Sequence, residues 1–355
     1  MARVGLIFGG RSVEHAVSVT SARTVARGLA TAGHEVVPLG IGPDGVWVEP
    51  GVAESALAGE LDRLPASGGA ILPSLSRLVS SGIEVAFPLV HGTWGEDGTL
   101  QGLLEIADVP YVGAGVTASA LAMDKILAKR LIEAAGVPVV EYETTSRAAF
   151  EADPADALER LGRLPRPLFV KPSVGGSSVG VRKIARAGDL EEAVRFALRF
   201  DDAVLAERGV AGRELECAVL GDERLEASVL GEIIPGREFY DYEDKYLTDG
   251  ARLIAPAELP EELAARMRRA AVEAFAALGG HGMARVDFLL EGETPYVNEI
   301  NTLPGFTSIS MYPRLWALSG VPLPELIGRL VEIAFRRHGR RHRLDEGIRD
   351  WIRGL

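Results

Sequence analysis

Short apolar runs alternate with longer stretches of helical period along this chain, the pattern of an α/β protein. Residues 4–8 form an apolar strand, Gly9-Gly10-Arg11-Ser12 a turn, 14–32 a helix closed by Gly33-His34, and 35–39 a second strand. This β–α–β opening predicts an open sheet whose glycine turn lets a ligand approach the free N–H groups of a helix start. Further strands are expected over 85–90, 109–112, 139–144, 168–172 and 203–207, with helices over 99–107, 125–135 and 190–200. Two amphipathic helices, 261–278 and 323–335, flank a hairpin.

That hairpin, 282–305, carries the densest chemistry. An apolar run over 284–290, a polar turn Glu291-Gly292-Glu293-Thr294 and a second run over 295–300 define it. Side chains two apart share a strand face, so Arg285 projects with Asp287, and Glu299 with Asn301. Asp287, Glu299 and Asn301 are hard oxygen donors of the kind Mg²⁺ takes, with water and substrate phosphate completing the shell. A charged solvent face is the plain alternative. Against it, the second run ends Asn-Glu-Ile-Asn, and Pro304-Gly305 turns the backbone at once.

Several loops add candidates. Glu14, in the first turn of the first helix, either complements the helix dipole or holds an ammonium group. His91 stands in a glycine-rich loop with Glu96 and Asp97 after the strand 85–90, where open α/β sheets bind ligands. Residues 113–118 match the dinucleotide pattern G-x-G-x-x-A, but late in the chain and without the acidic residue some ~20 positions on, so a dehydrogenase is discounted. Lys125 opens a helix and Lys171 ends a strand. The loop 173–180, rich in Gly and Ser, offers backbone N–H groups as phosphate cradles do, although Lys171 precedes its glycines and it is no P-loop. Glu207 and Glu214 flank a turn and say little alone. The segment 238–246, with three tyrosines and a lysine among acids, suits a loop that orders over a site.

Composition narrows the classes. The 355 residues are 47% hydrophobic, enough for two or three packed domains. The formal charge of −12 argues against nucleic acid. No run approaches the ~18 apolar residues of a membrane span, and a cytosolic, soluble protein is expected. The single cysteine, Cys217, lies in an apolar run and reads as a buried thiol. A basic cluster over 336–343 reads as a solvated helix end, with an RNA or subunit contact as the alternative.

In order and spacing, Gly9-Gly10-Arg11-Ser12-Val13-Glu14, His91-Gly92 with Gly95-Glu96-Asp97-Gly98, Met123-Asp124-Lys125, Lys171-Pro172-Ser173, Gly176-Ser177-Ser178-Val179-Gly180, Tyr240-Asp241-Tyr242 with Lys245-Tyr246, Ala284-Arg285-Val286-Asp287 and Asn298-Glu299-Ile300-Asn301-Thr302 resemble the ATP-grasp enzymes. Among these the sequence is most similar to the D-alanine–D-alanine ligase family, over residues 4–335. The resemblance implies an N-terminal open parallel-sheet domain (1–119), a central subdomain (120–207) and a C-terminal subdomain (208–355), with ATP between the latter two. It implies that Lys125, Lys171, Ser178 and Lys245 serve the phosphates, that Glu207 and Glu214 serve the nucleoside, and that Asp287, Glu299 and Asn301 hold Mg²⁺ or Mn²⁺, two ions. Glu14, Ser177 and Tyr246 would close the site, Arg285 and the Gly305 N–H would stabilise an oxyanion, and His91, Ser310 and Met311 would receive D-alanine. A homodimer is also implied. Related ligases that use D-lactate lack the Tyr-Asp-Tyr…Lys-Tyr segment, while D-serine stays open as a substrate, because its discrimination rests on pocket shape. A nucleotide-binding scaffold without catalysis is the rival class, and the complete set Arg285, Asp287, Glu299 and Asn301 argues against it.

Overall fold

The computed structural model describes residues 1–236 and 252–353, arranged on three sheets. The first is parallel, in the order β2-β1-β3, with β1 Arg3–Gly9, β2 Glu35–Ile41 and β3 Val85–Pro88. Strand β1 lies in the middle and is buried from Val4 to Gly9, so it reads as a continuous apolar run rather than an alternating one. Its exit needs glycine: Gly9 has φ +93°, and a Cβ there would stand 2.2 Å from the Ile41 carbonyl oxygen. The helix His15–Thr31 follows and covers the sheet.

The second sheet holds β4 Tyr142–Ser146, β5 Leu168–Pro172, β6 Arg182–Ile184 and β7 Ala203–Arg208, antiparallel in the order β4-β7-β5-β6. With the helices Arg147–Ala152, Pro154–Gly162 and Leu190–Ala197 it closes a core of its own, which includes Phe150, Leu161, Val170, Val194 and Ala206. The third sheet is antiparallel, β10-β9-β8-β11-β12, from β8 Arg213–Gly221, β9 Leu225–Ile234, β10 Arg252–Ile254, β11 Gly282–Glu291 and β12 Thr294–Asn301. One face packs on the helix Glu261–Ala277 and on the helices Val116–Met123 and Lys125–Ala134. The other face, through Ala218, Leu220 and Met283, joins the first sheet and the helices Met311–Leu318 and Leu323–Arg353 in one core. Cys217 is fully buried on β8, and burial pushes its thiol up to about 12, which leaves it inert.

Three elements differ from the sequence reading. Residues 109–112 form only an isolated parallel bridge between Tyr111 and Ala86, because Pro110 has no N–H to donate and Gly113 turns away at φ +99°. The strand expected from 139 begins at Tyr142, since the chain before it reaches instead to β12, where Val297 N–H donates to the Pro138 carbonyl at 2.9 Å. The last helix runs to Arg353, well beyond the apolar period that ends near 335.

The basic cluster is also not a solvated end. Arg337 stacks 4.0 Å from the Tyr111 ring centroid and donates to the Gly113 carbonyl at 2.6 Å. Arg340 grips both Asp222 oxygens at 2.8 and 2.9 Å, Arg341 pairs with Glu105, and His338 and His342 reach Asp108. These side chains clasp the last helix to the loops around Asp108 and Asp222, and Arg337 holds the start of the 113–118 glycine pattern through the Gly113 carbonyl.

Beside the clasp, His281 packs on Gly115, where a Cβ would lie 3.0 Å from its ring. Burial, with Arg337 adding to it, lowers its pKa from 6.5 to about 4. The unfolded chain therefore takes up a proton that the folded chain refuses, so this residue's contribution to stability is lost as pH falls through that window. His281→Gln should flatten the fall of the thermal midpoint between pH 6.5 and 4 relative to the parent protein. Melts across that range check it.

Candidate active site

A cavity of about 580 Å³ is lined from every part of the chain: Glu14 and His91 from the N-terminal loops, Lys125, Gly176 and Ser177 from the middle, and Glu216, Arg285, Glu299, Asn301, Gly305, Ser310 and Met311 from the C-terminal third. Its floor is the hairpin. In the register of β11 with β12, Arg285 faces Asn301 and Asp287 faces Glu299, so all four side chains share one face. A bulge after Asp287 pairs Phe288 with Val297 and leaves Asn298 out of the ladder.

Arg285 donates from Nε and Nη2 to the two Asp287 oxygens, 2.7 Å each, and meets Glu216 Oε1 at 3.1 Å. Burial would lower its pKa, but Asp287 and Glu216 outweigh burial and hold it well above the ordinary value. Glu216 is missing from the sequence reading. It lies opposite Asp287 on β8, and the signal was available in the alternation of Glu214 and Glu216 with the buried Leu215 and Cys217. Asn301 Oδ1 accepts the Leu303 N–H at 3.1 Å, which orients the amide. Two carboxylates and an amide oxygen on one strand face suit a hard divalent cation.

Toward the four-stranded sheet, Lys125 Nζ donates to the Gly175 carbonyl at 2.5 Å, and Lys171 pairs with Glu207. Lys129, also absent from the sequence reading, puts Nζ 3.0 Å from Glu207 Oε2, an ion contact whose angles are poor for a hydrogen bond. A lysine on the buried side of its helix, with Ile126 and Ile132, was the available signal. Burial would raise the Glu207 carboxyl, but Lys129 and Lys171 overcome it and hold it at about 2. Burial lowers both Lys125 and Lys129, against the pull of Glu299 on the first and Glu207 on the second. In the loop, Ser177 and Ser178 take left-handed conformations, φ +51° and +59°, which turns successive N–H groups to one side as an anion cradle does. Ser177 lines the cavity; Lys171, Ser178, Glu207, Glu214 and Asp287 do not.

At the opposite end, Gly92 (φ +74°) brings the His91 loop against the first helix start. A Cβ there would lie 3.1 Å from Ser12 Cβ and 3.9 Å from Glu14 Oε2. His91 Nδ1 donates to the Leu303 carbonyl at 2.9 Å and lies 3.3 Å from Glu96 Oε1, while its buried Nε2 has no partner among the described residues. Burial would lower its pKa, but Glu96 and Glu14 raise it. Asp97 instead accepts the N–H groups of Trp94 and Thr99 and shapes the loop. His15 braces the glycine turn: its Nδ1 donates to the Gly10 carbonyl at 2.6 Å and its Nε2 accepts the Leu64 N–H at 2.9 Å, which requires a neutral ring. Ser310 is the N-cap of the helix Met311–Leu318 and lines the cavity with Met311, so a helix start, which favours anions, borders it. Its Oγ would be 2.9 Å from a Cβ on Gly305. The segment 238–246, with Lys245 and Tyr246, lies outside the described residues.

A parallel N-terminal sheet, two antiparallel sheets and a cleft lined by Lys125 and oxygen donors are those of an ATP-grasp enzyme. The family models for the D-ala D-ala ligase N-terminus and C-terminus match residues 3–114 and 131–332. A D-alanine–D-alanine ligase of Solibacter usitatus is 47% identical, covering 95% of this chain and 96% of the relative. D-alanine–D-alanine ligase A of Chromobacterium violaceum is 47% identical, over 98% and 97%. The solved D-alanine–D-alanine ligase of Coxiella burnetii superposes with a TM-score of 0.82 at 35% identity, covering 99% of each chain. The VanG D-Ala:D-Ser ligase of Enterococcus faecalis gives 0.79 at 33%, over 94% of this chain and 99% of that one. The chain belongs to the D-alanine–D-alanine ligase family.

Glu207 is 3% exposed between Lys129 and Lys171, so removing its charge leaves both lysines without their shared counter-charge. Glu207→Gln should destabilise the fold by about 3 kcal/mol. Adding Lys129→Met should recover part of that loss. Urea midpoints of the three proteins, at unchanged slope, measure both effects.

Proposed function

We propose that this enzyme joins two D-alanines into D-alanyl-D-alanine, with ATP converted to ADP and phosphate, for peptidoglycan precursors. The observation that carries the reading is the floor of the cavity. A permanently charged Arg285 and the oxygen donors Glu299 and Asn301 lie between phosphate-type donors on one side and a helix N-terminus suited to a carboxylate on the other.

In this reading the first D-alanine rests with its ammonium at Glu14 and its carboxylate near His91. A carboxylate oxygen attacks the γ-phosphorus, the bond to the β-phosphate bridging oxygen breaks, and ADP departs from an acyl phosphate. Such a transfer asks mainly for positioning and charge neutralisation, which Lys125 and Lys171 supply with the N–H groups around Ser178 and with Lys245. Glu207 and Glu214 hold the nucleoside. Asp287, Glu299 and Asn301 hold Mg²⁺ or Mn²⁺, two ions, which when bound neutralise phosphate charge. The second D-alanine, its carboxylate at Ser310 and Met311, gives an ammonium proton to solvent. Its nitrogen then attacks the activated carbonyl, and the remaining excess N–H proton leaves with the phosphate. Arg285 and the Gly305 N–H stabilise the oxyanion of that step. Ser177 and Tyr246 close the site over Glu14.

We further propose the division into 1–119, 120–207 and 208–355, a homodimer and a cytoplasmic location. Among the described residues no helix is long and apolar enough to cross a membrane.

The test is ADP release by the purified chain with Mg²⁺ and D-alanine, D-serine or D-lactate, with products separated by mass. D-alanyl-D-alanine should dominate in equal mixtures at neutral and alkaline pH. Mainly a D-alanyl-D-serine product would move this chain to the chemistry of its D-Ala:D-Ser neighbour, and no ADP release with any of them would leave a scaffold. Glu299→Gln should fold normally yet lose turnover by several orders of magnitude; near-normal activity at saturating Mg²⁺ would place the metal elsewhere.

A further inference from the structure

His338 and His342 are one helical turn apart on Leu323–Arg353, so their imidazoles share a face, with ring centroids 4.4 Å apart. Both Nε2 atoms converge on one oxygen, Asp108 Oδ1, at 3.1 and 2.8 Å. The three potential ligand atoms lie within 4.8 Å of one another, and none of these residues lines the cavity described above. Tetrahedral coordination at bonds of about 2.0–2.1 Å spaces neighbouring ligand atoms roughly 3.3 Å apart, so the cluster would open only slightly to admit an ion.

Both sides of the cluster are held in place. Asp108 closes the helix Thr99–Ile106 in a left-handed conformation, φ +55°, where Val109 N–H donates to the Leu104 carbonyl at 3.0 Å and Asp108 N–H to the Glu105 carbonyl at 3.2 Å. Glycine is the usual residue at that position of this motif. Here an aspartate occupies it, and its carboxylate is the group that meets the two imidazoles. On the other side, Arg337 on Tyr111 and Arg341 on Glu105 press the histidine-bearing turn of the helix against the same loop.

We propose that Asp108, His338 and His342 bind a divalent transition-metal ion of the Zn²⁺ class, with solvent in the remaining position. The ion would cross-link the C-terminal helix to the N-terminal sheet domain. Two imidazole nitrogens and one carboxylate oxygen favour Zn²⁺, Ni²⁺ or Cu²⁺ over Mg²⁺, which takes oxygen shells, so the site does not compete for the ion of the active site. Because the ion binds the folded chain across two segments far apart in sequence, its binding free energy adds to stability.

The experiment uses the untagged full chain, stripped of metal by a chelator and kept in saturating Mg²⁺, titrated with ZnCl₂ by calorimetry and by thermal melting. One ion per chain should bind in the micromolar range and raise the melting midpoint by several degrees, and Co²⁺ should give the visible absorption of a tetrahedral site. His342→Ala should weaken binding by at least roughly tenfold, as loss of one of three protein ligands requires. It should leave Mg²⁺-dependent ADP release unchanged. Asp108→Gly removes a ligand while suiting the left-handed turn, so it should abolish binding and yet hold or raise the midpoint of the metal-free protein. No heat and no midpoint shift at millimolar Zn²⁺ would overturn the proposal. So would equal binding by the His338→Ala/His342→Ala double variant.

Discussion

A guanidinium buried in the floor of the cleft sets the terms for the residues around it. Arg285 can stay charged there only because β8 and β11 bring Glu216 and Asp287 to it, and because the ladder with β12 brings Glu299 to the same face. Three carboxylates around one arginine leave negative charge over, and Lys125 answers part of it through Glu299. By that count negative charge remains beside Asn301, an environment that suits a divalent cation. A slip of one residue in β11 would turn Arg285 and Asp287 into the opposite, apolar core, and a slip in β8 or β12 would take Glu216, or Glu299 and Asn301, away from them.

Around that floor, the cores divide the labour. The first sheet, the helix Met311–Leu318 and the last helix share one core with a face of the third sheet, so Glu14, His91, Ser310 and Met311 sit on one continuous packed body. The four-stranded sheet closes a core of its own, and it carries Lys171, Glu207 and the Ser177–Ser178 loop. These four cavity-lining residues are thus fixed to one another by apolar packing. Lys171, Glu207 and the serine loop meet them through ion pairs and loop contacts, which rearrange at far lower cost than a shared core. The basic clasp of the last helix works in the same direction as the shared core, since Arg337, Arg340 and Arg341 tie that helix to loops of both the first and the third sheets.

Much of the site was legible without coordinates, because strand and helix periods are local. The spacing of Arg285 and Asp287, and of Glu299 and Asn301, places each pair on one face whatever the rest of the chain does. Glycine turns at Gly9 and Gly92 likewise follow from backbone sterics that only the missing Cβ relieves. Family likeness then supplied roles that no local rule could, including those of Lys245 and Tyr246, which lie outside the described residues.

What only the tertiary structure decided concerns charges that meet across long stretches of chain. Lys129 and Glu207 pair over a helix and a sheet, and Glu216 finds Arg285 only through strand pairing, so neither partnership has a local sequence signal. The end of the last helix was misread because an apolar period reports contact with a core, and the helix continues after that contact ends. For the same reason the basic cluster resembled a solvated end: its partners, Glu105, Asp108, Tyr111 and Asp222, are more than a hundred residues away. Covalent geometry determines which side of its own element a residue faces. Which charge waits there depends on how distant segments pack, and that is settled by burial of the whole chain at once.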